Sequence, residues 1–237
     1  MIRSQHLQTW FSGQALNDRP QPFAIITAHN PHSESRTWSQ NGRADEQLWK
    51  QMNQCGHDPQ RVVAGSVDWS HYEESWTVHG ISLADALDVG RAYGQDAIFW
   101  VQDGIVTIHD CESSAHEKVA AWDERCSRFH NPAQSRCVYV IDLDTAVWEK
   151  KRFAEANTDA DPKKPLYYVG MTGLTPVERY ARHKAGIQAC PLVKNFGTGI
   201  VWDALTHLSR MSYEEAVAME VHFAMELRQE GHGVWQK

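Results

Sequence analysis

Between residues 175 and 186 the chain reads TPVERYARHKAG, and Arg179, Arg182, His183 and Lys184 crowd one short segment of a protein whose net charge is −7. Arg179 and His183 are four positions apart, so on a helix they share a face, with Arg182 beside them. Such a cluster suits an anionic ligand. It also suits a plain solvated cationic face, with Glu178 pairing Arg182. Further along, Glu220 falls on a helical stripe of Tyr213, Ala216, Val217, Phe223, Ala224 and Leu227. A carboxylate aimed at a core is costly unless it is ion-paired, snorkels at the edge of the stripe, or holds a metal. Tyr139 and Tyr168 stand in β-branched runs, where an aromatic ring packs readily and its hydroxyl can both donate and accept a proton.

The elements that would position these residues are legible in outline. RCVYVIDL (136–143) is a buried strand by its β-branched content, and LYYVGMT (166–172) is a second, expected to pair with it antiparallel. Thr175 followed by Pro176 is an N-cap with proline at the first helical position, and Gly186 is a suitable stop. FGTGIVWDAL (196–205) predicts a third strand. SYEE (212–215) is a capping box that opens a long helix to about Gln229, with Gly231 beyond its end. The stretch 144–165 is polar and charged, and predicts a surface insertion with one helical piece.

The first part of the chain has a different pattern. PFAIITAH (22–29), RVVAGSV and ESWTVHGIS predict strands; ADEQLWKQMNQ (44–54) and LADALDVGRAYG (83–94) predict helices. DAIFWVQ and GIVTIHD predict a hairpin about Asp103-Gly104. The order βαββαβ predicts a two-layer α+β sandwich of ferredoxin-like character. AHEKVAAWDERCSRF (115–129) carries helical spacing and predicts a bridging helix. Asn-Pro and small polar residues in RFHNPAQSR place a domain boundary near 128–136.

A hydrophobic fraction of 42% and ten tryptophans are ample for packed cores. No run approaches the roughly 18 apolar residues of a membrane span, and the first residues lack a signal-peptide pattern. Cys55, Cys111, Cys126, Cys137 and Cys190 are odd in number and lack a CxxC spacing, which argues against a disulfide framework or structural zinc and for a reducing cytoplasm. Residues 1–135 hold ten Lys and Arg against seventeen Asp and Glu, whereas residues 136–237 hold thirteen of each. All the net acidity therefore lies in the first part, and an anion meets least repulsion in the second.

The second part resembles the GIY-YIG endonuclease family. Cys137-Val138-Tyr139 corresponds to its first motif and Tyr168-Val169-Gly170 to its second; Arg179 and His183 match its helix Arg-x-x-x-His, and Glu220 its later glutamate. The likeness covers about 136–237 and implies a small mixed sheet flanked by helices, with 144–165 looped out between the motifs. It implies a metal-dependent hydrolase that cuts phosphodiester bonds, in DNA rather than RNA. Glu220 would hold Mg²⁺ or Mn²⁺, and Arg179 the non-bridging oxygens. Tyr139 would act as base or orient water, Tyr168 would position the water, and His183 would relay or accept the proton. Arg182 and Lys184, with Lys150, Lys151, Lys163 and Lys164 of the insertion, would grip the nucleic-acid backbone. The alternative is a catalytically silent module that binds nucleic acid or protein.

Residues 1–130 look like a small bacterial family of unknown function, through ITAHNPHS, Asn41, EESW and GQDAIFW. His29, Asn30 and Glu74 are its most suggestive polar residues, with turn and capping roles favoured. This acidic domain is expected to recruit a protein partner or regulate its neighbour rather than bind nucleic acid.

Overall fold

The computed structural model describes residues 2–13, 22–127 and 135–236. The protein is mixed α+β, and its described residues form seven α-helices and two sheets of eight and four strands. Two compact units emerge, Met1–Thr37 with Arg43–Pro132, and Trp38–Gly42 with Ala133–Lys237. The predicted boundary near 128–136 lies mostly outside the described residues. Among the described residues no helix is long and apolar enough to cross a membrane.

In the first unit β1 (Trp10–Ser12) and β2 (Phe23–Thr27) precede α1 (Trp38–Gln54), which belongs to this unit from Arg43 onward. They are followed by β3 (Gln60–Gly65), β4 (Tyr72–His79), α2 (Leu83–Ala92), β5 (Ala97–Gln102) and β6 (Ile105–Asp110). The predicted βαββαβ order is present from β2 to β5, and Asp103 (φ 50°) and Gly104 (φ 73°) make the tight turn before β6. The sheet runs β6-β5-β2-β4-β3-β1, antiparallel at each step. Period-2 alternation then puts Phe23 and Ile25 of β2 on one face, in a core with Phe11, Val62, Val101, Val106 and Trp122.

Over 115–127, the described part of the helix expected at 115–129, no continuous helix forms. His116–Ala121 is instead a strand, β7, antiparallel to β6 at the edge of the sheet, and only Trp122–Arg125 is helical (α3) before β8 (Cys126–Ser127). Val119, Ala120 and Trp122 fit a helical period over so short a span, but the edge of β6 lies just across the short loop 111–115. Ladder hydrogen bonds to that edge outweigh a weak local preference.

In the second unit β9 (Cys137–Leu143) pairs antiparallel with β10 (Leu166–Thr172), as predicted. Next come α5 (Pro176–Ala185), α6 (Pro191–Phe196), β11 (Gly197–Ile200), α7 (Tyr213–Gln229) and β12 (Gly233–Gln236). The sheet order is β11-β9-β10-β12, with β12 parallel to β10. The expected capping box at Ser212 is in place, and the expected N-cap at Thr175 proves to be a capping box as well. Thr175 Oγ1 accepts the Glu178 amide while the Glu178 carboxylate accepts the Thr175 amide, and Ser212 and Glu215 reciprocate at the start of α7. Gly186 closes α5 at φ 83°, a left-handed conformation that a side chain would oppose.

Residues 144–165 are more than a surface loop. A 3₁₀ turn (Thr145–Glu149) and α4 (Lys151–Ala156) bury Val147 and Phe153 in the core beside Tyr139, Ile141 and Leu166. Asn157 is buried as well; its Oδ1 accepts the Val234 amide at 2.7 Å and so ties α4 to β12.

Candidate active site

β9 and β10 place the tyrosines by register. Tyr139 stands directly opposite Gly170, and Tyr168 lies two residues before Gly170 on the same face. The ring centroids of Tyr139 and Tyr168 are 5.9 Å apart. A Cβ at position 170 would lie 2.7 Å from the Tyr168 hydroxyl and 3.0 Å from the Tyr139 hydroxyl. The glycine of Tyr-Val-Gly is thus the space in which two phenolic oxygens meet. Tyr139 is completely buried and Tyr168 nearly so.

α5 brings His183 over the same spot, and its ring is fully buried. His183 Nδ1 accepts the Cys190 backbone N–H at 2.9 Å. A neutral imidazole has one proton, so that bond leaves it on Nε2, which donates to Tyr139 Oη at 2.8 Å. Burial, with Arg179 nearby, pushes the His183 pKa down to about 4, so the ring is neutral at pH 7. The role expected of His183 is to relay or accept a proton. Its Nδ1 lone pair is engaged and its Nε2 already carries hydrogen, so it serves Tyr139 as a donor.

Arg179, one turn before His183, donates to the Gln188 carbonyl at 3.1 Å and also hydrogen-bonds Tyr139. Burial and then Tyr168 raise the Tyr139 pKa well above its ordinary value, while Arg179 works in the opposite sense. Tyr168 is raised chiefly by burial and lowered by its hydrogen bond with Tyr139, as expected if Tyr139 is the donor of that pair. The Arg179 guanidinium alone therefore does not bring Tyr139 to phenolate; burial wins.

Glu220 reaches the cluster from α7. It is half-buried, and its carboxylate is held by the Gln236 side chain and the Met171 backbone N–H. Burial raises its pKa in spite of those bonds, and its charge in turn raises that of Tyr168. Of the two plain readings, an arginine partner is not found among the described residues, while a half-buried place at the edge of the stripe is. The α7 stripe needs a correction: Ala216, Phe223, Ala224 and Leu227 are buried, but Tyr213 and Val217 are exposed, in line with Val221 and Met225. α7 thus packs through a narrower face than the sequence pattern implies, with Glu220 on its margin.

The basic residues divide. Lys184 Nζ donates to the Lys194 and Gly197 carbonyls at 3.0 and 3.1 Å, closing the end of α6, and Lys164 Nζ donates to the Glu230 carbonyl past the end of α7. Lys150 lies over the Phe196 ring at 5.4 Å, and Lys151 faces Glu155 at 3.7 Å. The Lys163 and Arg182 side chains meet no carboxylate or carbonyl among the described residues. Glu178 is taken by its capping box rather than by Arg182.

Three contributors carried no signal in the sequence. The Cys190 and Met171 amides act through the backbone, and Gln236 sits in a four-residue terminal strand that was not predicted. In the first unit Asn30 holds a left-handed turn (φ 47°), which bears out a turn role, and Glu74 is buried while its neighbour Glu73 accepts from Asn30 Nδ2.

A family described as a protein of unknown function, DUF3293, matches residues 26–98, all but five of them in the first unit. No curated protein and no solved structure matches the chain.

Proposed function

We propose that the second unit is a metal-dependent endonuclease of GIY-YIG type, acting on DNA in preference to RNA. The observation that carries this reading is the meeting of Tyr139, Tyr168, Arg179 and His183 with the lone carboxylate of Glu220, from two strands and two helices. Packing alone does not call for five hydrogen-bonding side chains at one point of a core.

Among the described residues no group of three or more His, Cys, Asp and Glu side chains could cage a metal. One half-buried carboxylate with a raised pKa nevertheless fits Mg²⁺ or Mn²⁺, hard ions that keep several waters and share their shell with substrate phosphate. When bound, such an ion supplies Lewis-acid charge stabilisation to the phosphate and leaving oxygen. Glu220 would hold it, kept in place by Met171 N–H and Gln236. Arg179 would bind the non-bridging oxygens and stabilise developing charge. His183 Nε2–H and Arg179 both donate towards Tyr139 Oη, which favours its anionic form once substrate is present, so Tyr139 acts as base or orients the water beside Tyr168.

The same reading extends to architecture and setting. The antiparallel order β5-β2-β4-β3 with two crossover helices supports a ferredoxin-like first domain, here carrying extra strands. The sheet β11-β9-β10-β12 with α5 and α7 supports the nuclease-like second domain. A cytoplasmic location accords with five free cysteines.

One observation favours the silent binding module instead: Tyr139 is wholly buried and its hydroxyl is strongly held neutral. Incubation of the full chain with labelled single-stranded, duplex and branched DNA and RNA, in Mg²⁺, Mn²⁺ or EDTA, separates the readings. Cleavage in either metal and none in EDTA supports the nuclease. Binding without cutting favours the silent module.

A further inference from the structure

The first unit contains a cavity of about 570 Å³, within the range of roughly 300–1,000 Å³ typical of small-molecule sites. Its position follows from the curl of the eight-stranded sheet. Phe11, Phe23 and Trp122 fill one end of the inner face. The other end stays open, floored by Ile25, Phe99 and Ile108 from three adjacent strands and by Ala64 of β3, one strand beyond β4. Mouths of curved sheets are places where ligands commonly bind.

The rim is polar and of mixed charge. Arg3 and Asp96 neutralise one another, with their charged atoms 3.0 Å apart, and Ser33 Oγ also donates to Asp96 at 3.1 Å. Glu73 is different. Its Oε1 accepts from Asn30 Nδ2 at 2.8 Å, and His71 is at the limit of reach, 4.0 Å away and largely exposed. Its Oε2 has no hydrogen bond among the described residues. With the Arg3–Asp96 pair cancelled, the lining keeps one unbalanced negative charge, that of Glu73, above an apolar floor.

The wall beside it is strained. Asn30, His32 and Ser33 hold φ values of 47°, 55° and 59°, three non-glycine residues in the left-handed region within four positions. The turn is fastened by His32 N–H to the Gly94 carbonyl, and Asn30 Oδ1 accepts the Arg36 amide. Strain of this kind persists where surrounding bonds enforce it, and here it aims Asn30 and Ser33 at Glu73 and Asp96.

We propose that this cavity binds a small organic cation with a flat apolar body, its amine or amidinium nitrogen on Glu73 Oε2 and its body over Phe99 and Ile108. The carboxylate supplies the charge-assisted hydrogen bond, and the ring of Phe99 suits a flat cation. An anionic ligand would meet Glu73 unscreened. This site is separate in chemistry from the tyrosine cluster and does not depend on the nuclease reading.

The test is calorimetric titration of the full chain with benzamidine, against benzamide and benzoate as neutral and anionic analogues. Saturable binding of benzamidine, at least tenfold tighter than of benzamide and with benzoate not bound, is the expected result. Glu73→Gln should erase the preference for the cation while leaving the far-ultraviolet circular dichroism unchanged. Ala97→Phe, which fills the mouth without touching the charge, should abolish binding of both benzamidine and benzamide. Equal affinity for all three probes, binding undiminished by Glu73→Gln, or no saturable binding up to the solubility of benzamidine would overturn the proposal. Should Glu73→Gln fail to fold, the Ala97→Phe result and the probe series decide alone.

Discussion

His183 Nε2 lies 2.8 Å from Tyr139 Oη and must be the donor, because Nδ1 of the same ring is occupied by the Cys190 amide. A buried neutral imidazole with both nitrogens satisfied is a rigid strut between α5 and β9. It also carries a pH dependence. In the unfolded chain the ring takes a proton near its ordinary value of 6.5; in the fold, burial holds it to about 4. Between those values the unfolded state binds more protons, so the stabilisation is whole above pH 6.5 and is lost as the pH falls towards 4. The loss is about 3 kcal/mol at about 1.4 kcal/mol per pKa unit. Denaturant titrations of the full chain at pH 7.5, 5.5 and 4, compared with His183→Gln, check this: the variant should lack that part of the acid destabilisation. Parallel pH profiles for both proteins would show that the ring titrates normally.

Gly170→Ala tests the meeting point of the tyrosines. Its Cβ would come within 2.7 Å of Tyr168 and 3.0 Å of Tyr139, in a part of the sheet with no slack. Overpacking of this kind costs about 1–3 kcal/mol. A lowered urea midpoint with unchanged m-value is expected, together with loss of cleavage. An unchanged midpoint would mean the rings can turn aside.

Glu220→Gln should separate function from folding. A carboxyl whose pKa is raised by burial costs stability as the pH rises through its unfolded and folded values, so the neutral amide relieves that cost at pH 7. The melting temperature should be equal to or above that of the unaltered chain, while cleavage in Mg²⁺ disappears. A large fall in melting temperature would recast Glu220 as a structural anchor for β10 and β12.

Much of this arrangement was legible because its signals are local. N-caps, alternating strands and a turn residue act within a few positions, so Thr175, Ser212 and the Asp103-Gly104 turn stand where the sequence places them. What escaped is non-local. His116–Ala121 is a strand because β6 has an edge to pair, and β12 is a strand because β10 offers one beside it. The polar side chains of the candidate site could be named from residue type alone. Their protonation could not, since the tautomer of His183 is set by an amide seven residues away, and the pKa of Glu220 is raised by burial against the pull of Gln236 and Met171.

Tyr139→Phe and Arg179→Ala should each lower turnover about 10²–10⁴-fold, the usual scale for loss of a general base or of a charge stabiliser. They should differ elsewhere. The phenylalanine keeps the ring but leaves His183 Nε2–H without its acceptor, so stability should fall as well. Arg179→Ala frees the Gln188 carbonyl and removes one donor from Tyr139 Oη, which keeps His183 Nε2–H, so stability should fall less. Single-turnover rates and thermal melts on both variants check the pair, and normal cutting by Tyr139→Phe would reduce the tyrosine to packing.

The basic residues give the last distinction, between holding the fold and holding a polyanion. Lys164 and Lys184 spend their ammonium groups on carbonyls that end α7 and α6, whereas Lys163 and Arg182 meet no acceptor among the described residues. Alanine at Lys164 or Lys184 should therefore lower stability by about 0.5–1.5 kcal/mol, the net worth of a typical hydrogen bond. Alanine at Lys163 or Arg182 should leave the melt unchanged and weaken DNA binding. If each contacts one phosphate, the slope of log K against log salt should fall in magnitude by about 0.9 per residue on duplex DNA. Fluorescence anisotropy with labelled duplex across a salt series measures that slope. A slope unaltered in both variants would place the nucleic-acid path elsewhere on the unit, and a slope lowered by Lys184→Ala at unchanged stability would reverse the division drawn here.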